Sequence, residues 1–434
     1  MRKPLEGIRI LDFTWANAGP KGTRHLANLG AELVRLEWKG RLDFSRNLGP
    51  FHRPPEEAKP AADPTKSKGV IGWGRPPTPN RAAGYNDVNA GKLGISLNMR
   101  HEKGKDLFRR LLPVADAVVD NYTATTLADW GFSWEEMAKV KPDIIYVQQP
   151  AFGNSGPYRD FRSYGPIAAA IDGLTHMAGF EDRGPVGYGF SYMDVAGPFF
   201  LCMAILSALH YRLKTGKGQH MDLSHAGPGF LLTGTAILDH TVNGRPYRRS
   251  GNRAPYTSAA PHSAYRCKGE DRWVAIAVSD DAEWTAFCSV LGNPPWCKDP
   301  KFGTQVNRFE HQDELDRNVE AWTSQRDRYE VMHALQRAGV PAGVCQNVED
   351  RAEIDEQFRH SGYLETVNHT EYGPYRVEGI VGKWSETQPK SGGVHGIGAP
   401  CYGEHNKLVY QGLLGLSDAE MEALVEQDVI GWEI

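Results

Sequence analysis

The chain contains little cysteine and no recognisable metal-binding pattern. Only six of its 434 residues are cysteines, and no two of them form a CxxC pair. This excludes a disulfide framework and the usual zinc motifs, so we expect reduced thiols, no metal site and a cytosolic protein. The six positions are Cys202, Cys267, Cys288, Cys297, Cys345 and Cys401.

The sequence also lacks an apolar run long enough to cross a bilayer. Its longest apolar stretch, GPFFLCMAILSALHYRLK, is interrupted by His210 and Arg212 before it reaches the roughly 20 residues that a span requires. The opening MRKPLEGIRILDF has no apolar core of signal-peptide length. We therefore predict a buried helix, no membrane partner and a cytoplasmic location.

An excess of charge of one sign is missing as well. Lysine and arginine total 49 against 53 aspartates and glutamates, a formal net charge of −4, so we expect no nucleic-acid partner. With 40% hydrophobic and 24% charged residues, the composition is that of an ordinary globular protein. A chain of this length is expected to form two or three domains.

The first feature that is present is a repeated β-α-β pattern. A strand is predicted for GIRILDF, a helix that stops at Gly30 for GPKGTRHLANLG, and a second strand for AELVRLE. The pattern recurs in HEKGKDLFRRLLPVADAVVDNY and PDIIYVQQPAFG. This alternation predicts an α/β fold, a Rossmann-like domain whose parallel sheet is covered by helices.

Changes in composition suggest the domain boundaries. We assign residues 1–215 to the N-terminal part of a large domain and residues 225–330 to a small α+β domain. Residues 335–434 are predicted to return to the large domain and to end in a helix.

Two local signals are also clear. The density of Pro, Gly and Lys at about residues 49–87 predicts a long surface loop. Near the C-terminus, Ser417 and Glu420 predict a capping box for the terminal helix.

Several short motifs, taken in order, carry a family resemblance. They are LDFTWANAGPKGTRHLANLGAELVRLE, AFGNSGP, LKTGKGQHMDLS, AGVPAGV and GAPCYGEHNKLVY. Through their order and spacing, nearly the whole chain resembles the family III CoA-transferases, which include formyl-CoA transferase and carnitine CoA-transferase. The resemblance implies a ring-shaped chain in an interlocked dimer, with a large and a small domain joined by two linkers. It also implies acyl-CoA and carboxylate substrates and no permanently bound cofactor.

The resemblance further implies covalent catalysis by an aspartate. That aspartate attacks an acyl-CoA thioester to give a mixed anhydride, CoA thiolate then forms an aspartyl thioester, and the acceptor carboxylate completes the exchange. We match the family's aspartate segment to Tyr164 and Gly165 in RSYGPIAAAIDG. This match implies that the chain has no catalytic residue of its own.

The position of Gly165, just before Pro166, predicts a helix N-cap. A glycine there caps acceptably but offers no nucleophile, and Gly165→Asp is expected to improve the cap without restoring exchange. Asp172 is the first candidate for a relocated nucleophile. Asp160 and Asp194 are further candidates, although Asp194 is expected to support structure.

The resemblance also implies a set of CoA-binding residues. They are Trp15, Ala16, Asn17, Lys39, Lys92 and Asn121. The Trp15 side chain suits core packing equally well, and the lysines suit solvated loops. Because only Lys39 and Lys92 are cationic, weak or absent CoA binding is expected.

Two other groups of residues allow both a structural and a functional interpretation. Four arginines in GRPYRRSGNR could clamp a phosphate or a dicarboxylate, although a solvated or dimer-facing cluster suits them better: Arg245, Arg248, Arg249 and Arg253. Three histidines show neither metal-ligand spacing nor a visible acid/base partner: His176, His225 and His262.

These expectations favour a non-catalytic subunit of a heteromeric CoA-transferase, with the aspartate supplied by a homologous partner chain. Two-subunit members of the family, which move CoA from succinyl-CoA to (R)-benzylsuccinate in anaerobic toluene degradation, fit this pattern, and the chain is similar to their E subunit. The alternatives are an autonomous transferase with a relocated nucleophile and a CoA-binding structural protein without activity.

Overall fold

The structure is a computed structural model that describes residues 3–52, 78–253 and 259–434. The central part of the predicted Pro-rich loop, residues 53–77, lies outside the described residues.

The chain forms two compact units. The first contains residues up to 174 together with 187–237 and 361–434, and the second contains 175–186 and 238–360.

These bounds differ from the predicted ones. The start of the predicted small domain, residues 225–237, belongs to the first unit, and the second unit continues beyond 330. The second unit also gains a segment near residue 180, because Arg249 donates hydrogen bonds to the carbonyls of His176 (3.2 Å) and Arg183 (3.0 Å). Such contacts between distant parts of a chain leave no signal in local composition.

The first unit is built on a six-stranded, fully parallel sheet of strand order β3-β2-β1-β4-β5-β6. Its strands are β1 (Arg9–Asp12), β2 (Glu32–Glu37), β3 (Leu93–Ser96), β4 (Ala117–Asp120), β5 (Ile145–Gln148) and β6 (Gln219–Asp222). This confirms the predicted α/β fold and parallel sheet. The edge strands β3 and β6 were not predicted, because each has only four residues. Strand β3 contains a glycine, and β6 consists mainly of polar residues.

Successive residues of the central strands point to opposite faces, and both faces are buried. Leu11, Val34 and Val118 pack in one core, whereas Ile10 and Leu33 pack in the other. The sheet is therefore covered by helices on both sides, as in a doubly wound fold.

The helices of the chain follow in sequence order. Those of the N-terminal half are α1 (Ala18–Asn28), α2 (Ala83–Asn89), α3 (Glu102–Leu111), α4 (Thr126–Asp129), α5 (Trp134–Val140), α6 (Gly165–Ile171), α7 (Leu174–Met177), α8 (Met193–Thr215), α9 (Gly227–Leu232) and α10 (Gly234–Asn243). The later ones are α11 (Asp281–Val290), α12 (Gln305–Glu310), α13 (Gln312–Thr323), α14 (Arg328–Arg337), α15 (Glu356–Ser361) and α16 (Asp418–Glu426).

The longest helix, α8, contains the apolar run noted in the sequence. Among the described residues it alone is long and apolar enough to cross a bilayer, and 44% of its most apolar window is buried in the molecule. It packs on α1, where Gly22 allows close approach: a Cβ there would lie 2.9 Å from the Leu201 side chain. A core helix of a soluble protein passes the same length and composition test.

The second unit contains an antiparallel sheet of order β7-β8-β9. Its strands are β7 (His262–Arg266), β8 (Trp273–Ala277) and β9 (Ala342–Val344). Strands β7 and β8 form an antiparallel pair, but β9 pairs with β8 instead of returning to the large domain as predicted. Elsewhere, β10 (Leu364–His369) and β11 (Gly373–Glu378) form a hairpin in the first unit, and the predicted capping box of Ser417 and Glu420 is present at α16.

Candidate active site

A cavity of about 480 Å³ opens in the first unit at the carboxyl ends of the parallel strands. Its lining includes residues that follow β1, β4 and β5 within three positions: Trp15, Asn121 and Gln149. The sheet changes winding direction between β1 and β4. Open α/β sheets bind their ligands at this kind of switch point, so the topology alone favours this cavity as the site.

The turn after β1 supplies three of the predicted CoA-binding residues, Trp15, Ala16 and Asn17, and all three line the cavity. Asn121 holds this turn, because its side chain accepts a hydrogen bond from the Trp15 N–H (2.7 Å) and donates one to the Trp15 carbonyl (3.0 Å). Its role is therefore to brace the turn as well as to line the cavity.

Ala16 adopts a left-handed backbone conformation, with φ of 68°, which is strained for a residue with a side chain. Its N–H donates to both carboxylate oxygens of Asp43 at 3.2 Å. Asp43 is in turn fixed by the Arg35 guanidinium at 2.6 Å. A buried ion pair thus maintains the turn in a shape that the local sequence does not favour.

The two predicted cationic contacts, Lys39 and Lys92, do not line the cavity. The Lys39 ammonium pairs with Asp428 at 2.7 Å. The Lys92 ammonium is fully buried, pairs with Asp12 at 2.9 Å and donates to Thr23 at 2.7 Å. Burial lowers the pKa of Lys92 to about 8, an effect that Asp12 opposes. The assignment of Lys92 to CoA is wrong, because a cation enclosed by protein oxygens cannot reach a phosphate.

Four arginines that the sequence reasoning missed line the cavity instead: Arg41, Arg100, Arg159 and Arg162. All four are exposed, and the Arg41 guanidinium lies 5.0 Å from the Trp15 ring centroid. Guanidinium groups suit phosphate and carboxylate recognition. The expectation of weak CoA binding rested on a shortage of cations, and the cavity has no such shortage.

Gly165 lines the cavity but is the first residue of α6, and Tyr164 takes the N-cap position that we predicted for Gly165. A Cβ built on Gly165 would lie 1.8 Å from the Ser191 hydroxyl oxygen and 2.7 Å from Cγ of Asp194. The space beside Gly165 is therefore already occupied, and one of its occupants is a carboxylate.

That carboxylate, Asp194, lines the cavity from the first turn of α8. A negative charge is stabilised there by the dipole of this 23-residue helix. The Asp194 side chain is 18% exposed, and its Oδ1 lies 3.1 Å from Nε2 of His225. Asp194 is thus a partner of His225 that the sequence did not reveal. Asp194 was expected to support structure, but its side chain also lines the cavity.

The other two candidate carboxylates do not reach the cavity. Asp160 lies on the surface beside Arg159, with 3.5 Å between Nε and Oδ1. Asp172 is buried, and neither of its oxygens has a hydrogen-bond partner among the described residues. Burial raises the pKa of Asp172 to about 7, and the charge of His225 opposes the shift.

The arginines of the second unit make structural contacts. Arg245 pairs with Asp239 at 2.6 Å, and Arg253 pairs with Asp316 at 2.6 Å. Arg249 donates to backbone carbonyls, as described above. Within the described residues, no group of three or more His, Cys, Asp or Glu side chains is arranged to hold a metal ion.

Known proteins similar to this chain include three transferases. Succinyl-CoA–D-citramalate CoA-transferase of Chloroflexus aurantiacus is 29% identical over 99% of this chain and 98% of its own length. Succinyl-CoA:glutarate CoA-transferase of Mus musculus is 27% identical over 99% and 90%. Formyl-CoA:oxalate CoA-transferase of Streptomyces avermitilis is 28% identical over 99% and 100%.

Two solved structures share the fold. A CAIB/BAIF family protein from Brucella suis superposes with a TM-score of 0.81 and 26% identity, covering 95% of this chain and all of its own. The Rv3272 protein of Mycobacterium tuberculosis superposes with a TM-score of 0.73 and 21% identity, covering 94% of this chain and 99% of its own.

A family profile described as CoA-transferase family III matches residues 5–406. That range contains the whole parallel sheet and every residue that lines the cavity. The expected resemblance is therefore confirmed at the level of the family, and the chain belongs to CoA-transferase family III.

Proposed function

We propose that this chain is itself a catalytic CoA-transferase and that Asp194 is its nucleophile. The observation that carries the proposal is the position of the Asp194 carboxylate. It faces the cavity from the first turn of α8 and fills the space beside Gly165. This differs from our expectation of a non-catalytic subunit, which rested on the glycine at position 165.

The proposed reaction begins when a carboxylate oxygen of Asp194 attacks the thioester carbon of an acyl-CoA. The C–S bond breaks, CoA leaves as the thiolate, and a mixed anhydride forms. The thiolate then attacks Cγ of Asp194, releases the donor carboxylate and leaves an aspartyl-CoA thioester. An acceptor carboxylate then attacks Cγ of the aspartyl thioester, displaces CoA thiolate and forms a second mixed anhydride. The thiolate attacks the acyl carbon of the acceptor in this anhydride, which releases the new acyl-CoA and regenerates the Asp194 carboxylate.

Succinyl-CoA is the donor that the names of two relatives suggest, and their acceptors suggest a dicarboxylic acid here. The exposed arginines of the cavity suit both the CoA phosphates and a second carboxylate. Trp15, Phe44 and Tyr164 form an aromatic chain beside Gly165, with ring centroids 5.5 Å and 5.7 Å apart. These three aromatic side chains favour binding of an acceptor that carries an aromatic ring, such as (R)-benzylsuccinate.

The second candidate is the heteromeric enzyme, in which a homologous partner supplies the aspartate. The observation in its favour is that Gly165 has no carboxylate where our motif comparison places the nucleophile.

One experiment separates the two candidates. The purified chain is incubated with succinyl-CoA and glutarate, citramalate, oxalate or benzylsuccinate, and turnover is compared for the native protein, Asp194→Asn and Asp172→Asn. We expect turnover by the native chain and by Asp172→Asn, and a loss of about 10³-fold or more in Asp194→Asn because the nucleophile is removed. Intact-mass analysis should detect a covalent CoA adduct that Asp194→Asn lacks. A folded native chain that turns over only after a homologous chain is added would overturn the proposal and support the heteromer.

A further inference from the structure

The Asp194 carboxylate is not held symmetrically. Its Oδ1 lies 3.1 Å from Nε2 of His225. A carboxylate can only accept hydrogen bonds, so the proton of this contact belongs to Nε2 of the imidazole. One carboxylate oxygen is therefore bound, and the other is left to react.

His225 is itself fixed from both sides. It follows β6, its side chain is 9% exposed, and its backbone N–H donates to the Pro150 carbonyl at 2.9 Å. Gly197, on the turn of α8 after Asp194, makes room for the ring: a Cβ there would lie 2.6 Å from Nδ1 and 2.8 Å from Cε1. Backbone and helix therefore set the direction of Nε2.

We propose that His225 is the oxyanion donor for reactions at Asp194, an inference that rests on the proposed function. Because Oδ1 is bound by Nε2, Oδ2 attacks the thioester, and Oδ1 remains as the carbonyl oxygen of the anhydride and of the aspartyl thioester. When CoA thiolate or the acceptor carboxylate attacks Cγ, the electron pair of that carbonyl moves onto Oδ1. The His225 N–H then stabilises the new negative charge.

An oxyanion donor and a merely structural residue predict different effects of substitution. His225 donates to the enzyme's own acyl group, so its loss slows the two steps in which Cγ is attacked. Because the proposed role of His225 is exerted on Asp194 and not on CoA, CoA affinity is expected to be unchanged. In His225→Gln the side-chain amide still offers an N–H donor, whereas in His225→Leu no donor remains.

The test compares His225→Leu, His225→Gln and the matched surface variant His333→Leu in the full chain. His333 is an exposed histidine of α14. We expect His225→Leu to lower kcat by about 100-fold, the usual effect of removing one oxyanion donor. The dissociation constant of CoA should stay within about twofold, and His225→Gln should recover at least about tenfold of the lost kcat. His333→Leu should behave as the native chain.

Rapid-quench mass analysis adds a second readout. With succinyl-CoA bound, the aspartyl-CoA adduct should form and decay about 100-fold more slowly in His225→Leu. If His225→Leu does not fold, Gly197→Ala provides the same test, because it keeps the imidazole but displaces its ring. We expect Gly197→Ala to lower kcat without changing CoA affinity.

The inference is overturned if His225→Leu keeps native kcat, or if His225→Gln loses as much kcat as His225→Leu. Asp194→Asn separates this failure from failure of the proposed function. If that variant is inactive while His225→Leu is fully active, only the role of His225 is wrong. If Asp194→Asn turns over, the proposed nucleophile is wrong.

Discussion

At the scale of single residues, the Asp194 carboxylate occupies the space that a side chain at position 165 would need. The glycine is needed because a side chain at 165 would meet the Ser191 hydroxyl and the Asp194 carboxylate at less than van der Waals distance. What looked from the sequence like a vacated catalytic position is explained by the carboxylate that lies against it.

We therefore predict that Gly165→Ala destabilises the chain by about 1–3 kcal/mol through overpacking and lowers kcat by moving Asp194. Our sequence-based expectation for Gly165→Asp, a better N-cap, is replaced by the same destabilisation. Urea unfolding and turnover are the measurements. Gly84→Ala is the control, because a Cβ there meets nothing within 4 Å. Adding Ser191→Ala should recover part of the loss, and a Gly165→Ala variant as stable and active as the native chain would contradict this account.

A second residue-scale prediction concerns the buried carboxyl of Asp172. Burial raises its pKa from the ordinary 3.8 to about 7. Between these values the folded chain keeps a proton that the unfolded chain releases, so the free energy of unfolding falls as the pH rises from about 4 to about 7. Asp172→Asn has no such proton. Its stability relative to the native chain should therefore increase between pH 5 and about pH 8, as measured by urea unfolding.

If the free energies of unfolding of the native chain and of Asp172→Asn change in parallel with pH over this range, Asp172 does not have this role. His240→Asn is a suitable control, because His240 is an exposed residue of α10.

At the scale of elements, Lys92 joins the start of β3 to the end of β1. Its ammonium pairs with Asp12, and Asp12 also accepts hydrogen bonds from the Thr23 hydroxyl (2.7 Å) and the Thr14 N–H (2.8 Å). The pair is fully buried. It therefore belongs to the framework that holds the turn after β1, and not to the CoA site.

We predict that Lys92→Met costs about 3–5 kcal/mol of unfolding free energy, because it leaves the Asp12 charge buried without its cation. Chemical denaturation measures the loss. The double variant Asp12→Asn with Lys92→Met removes both charges and should recover most of the stability. In folded protein, calorimetry should find unchanged CoA affinity. A Lys92→Met chain of native stability that no longer binds CoA would return this lysine to the binding site.

Most of the elements around the site could be predicted from the sequence. The periodicity and the stop signal at Gly30 predicted β1, α1 and β2, and the capping box predicted α16. The edge strand β6 was missed because its four residues QHMD carry no apolar pattern. It becomes a strand by pairing with β5, so the neighbour and not the segment determines its conformation.

At the scale of the whole molecule, α8 has an exposed apolar face. Large apolar side chains recur there at helical spacing: Val195, Phe199, Met203 and Leu206. Exposed apolar patches of this kind mark interaction sites. They support the expected dimer, whose partner is a second copy in our proposed function and a homologous chain in the heteromeric alternative.

We predict that the purified chain is a dimer and that Phe199→Glu combined with Met203→Glu converts it to monomer, because two buried charges oppose association. Light scattering after size-exclusion chromatography measures the mass. Val348→Glu, a charge placed at an exposed position of the second unit, should leave the dimer intact. A native chain that is monomeric at all concentrations would contradict the predicted dimer.

The sequence by itself determined the family and most of the elements around the central strands, because the signals for an element lie close together in the chain. Strand and helix periods and glycine stops are local properties, and the order of the motifs is read directly along the chain. The chemistry of the site was decided only by the tertiary structure. Asp194 begins a helix, His225 follows a strand 31 residues later, and Gly165 begins another helix. These three meet because parallel strands end at one edge of the sheet and α8 packs across it, and no spacing in the sequence encodes that convergence.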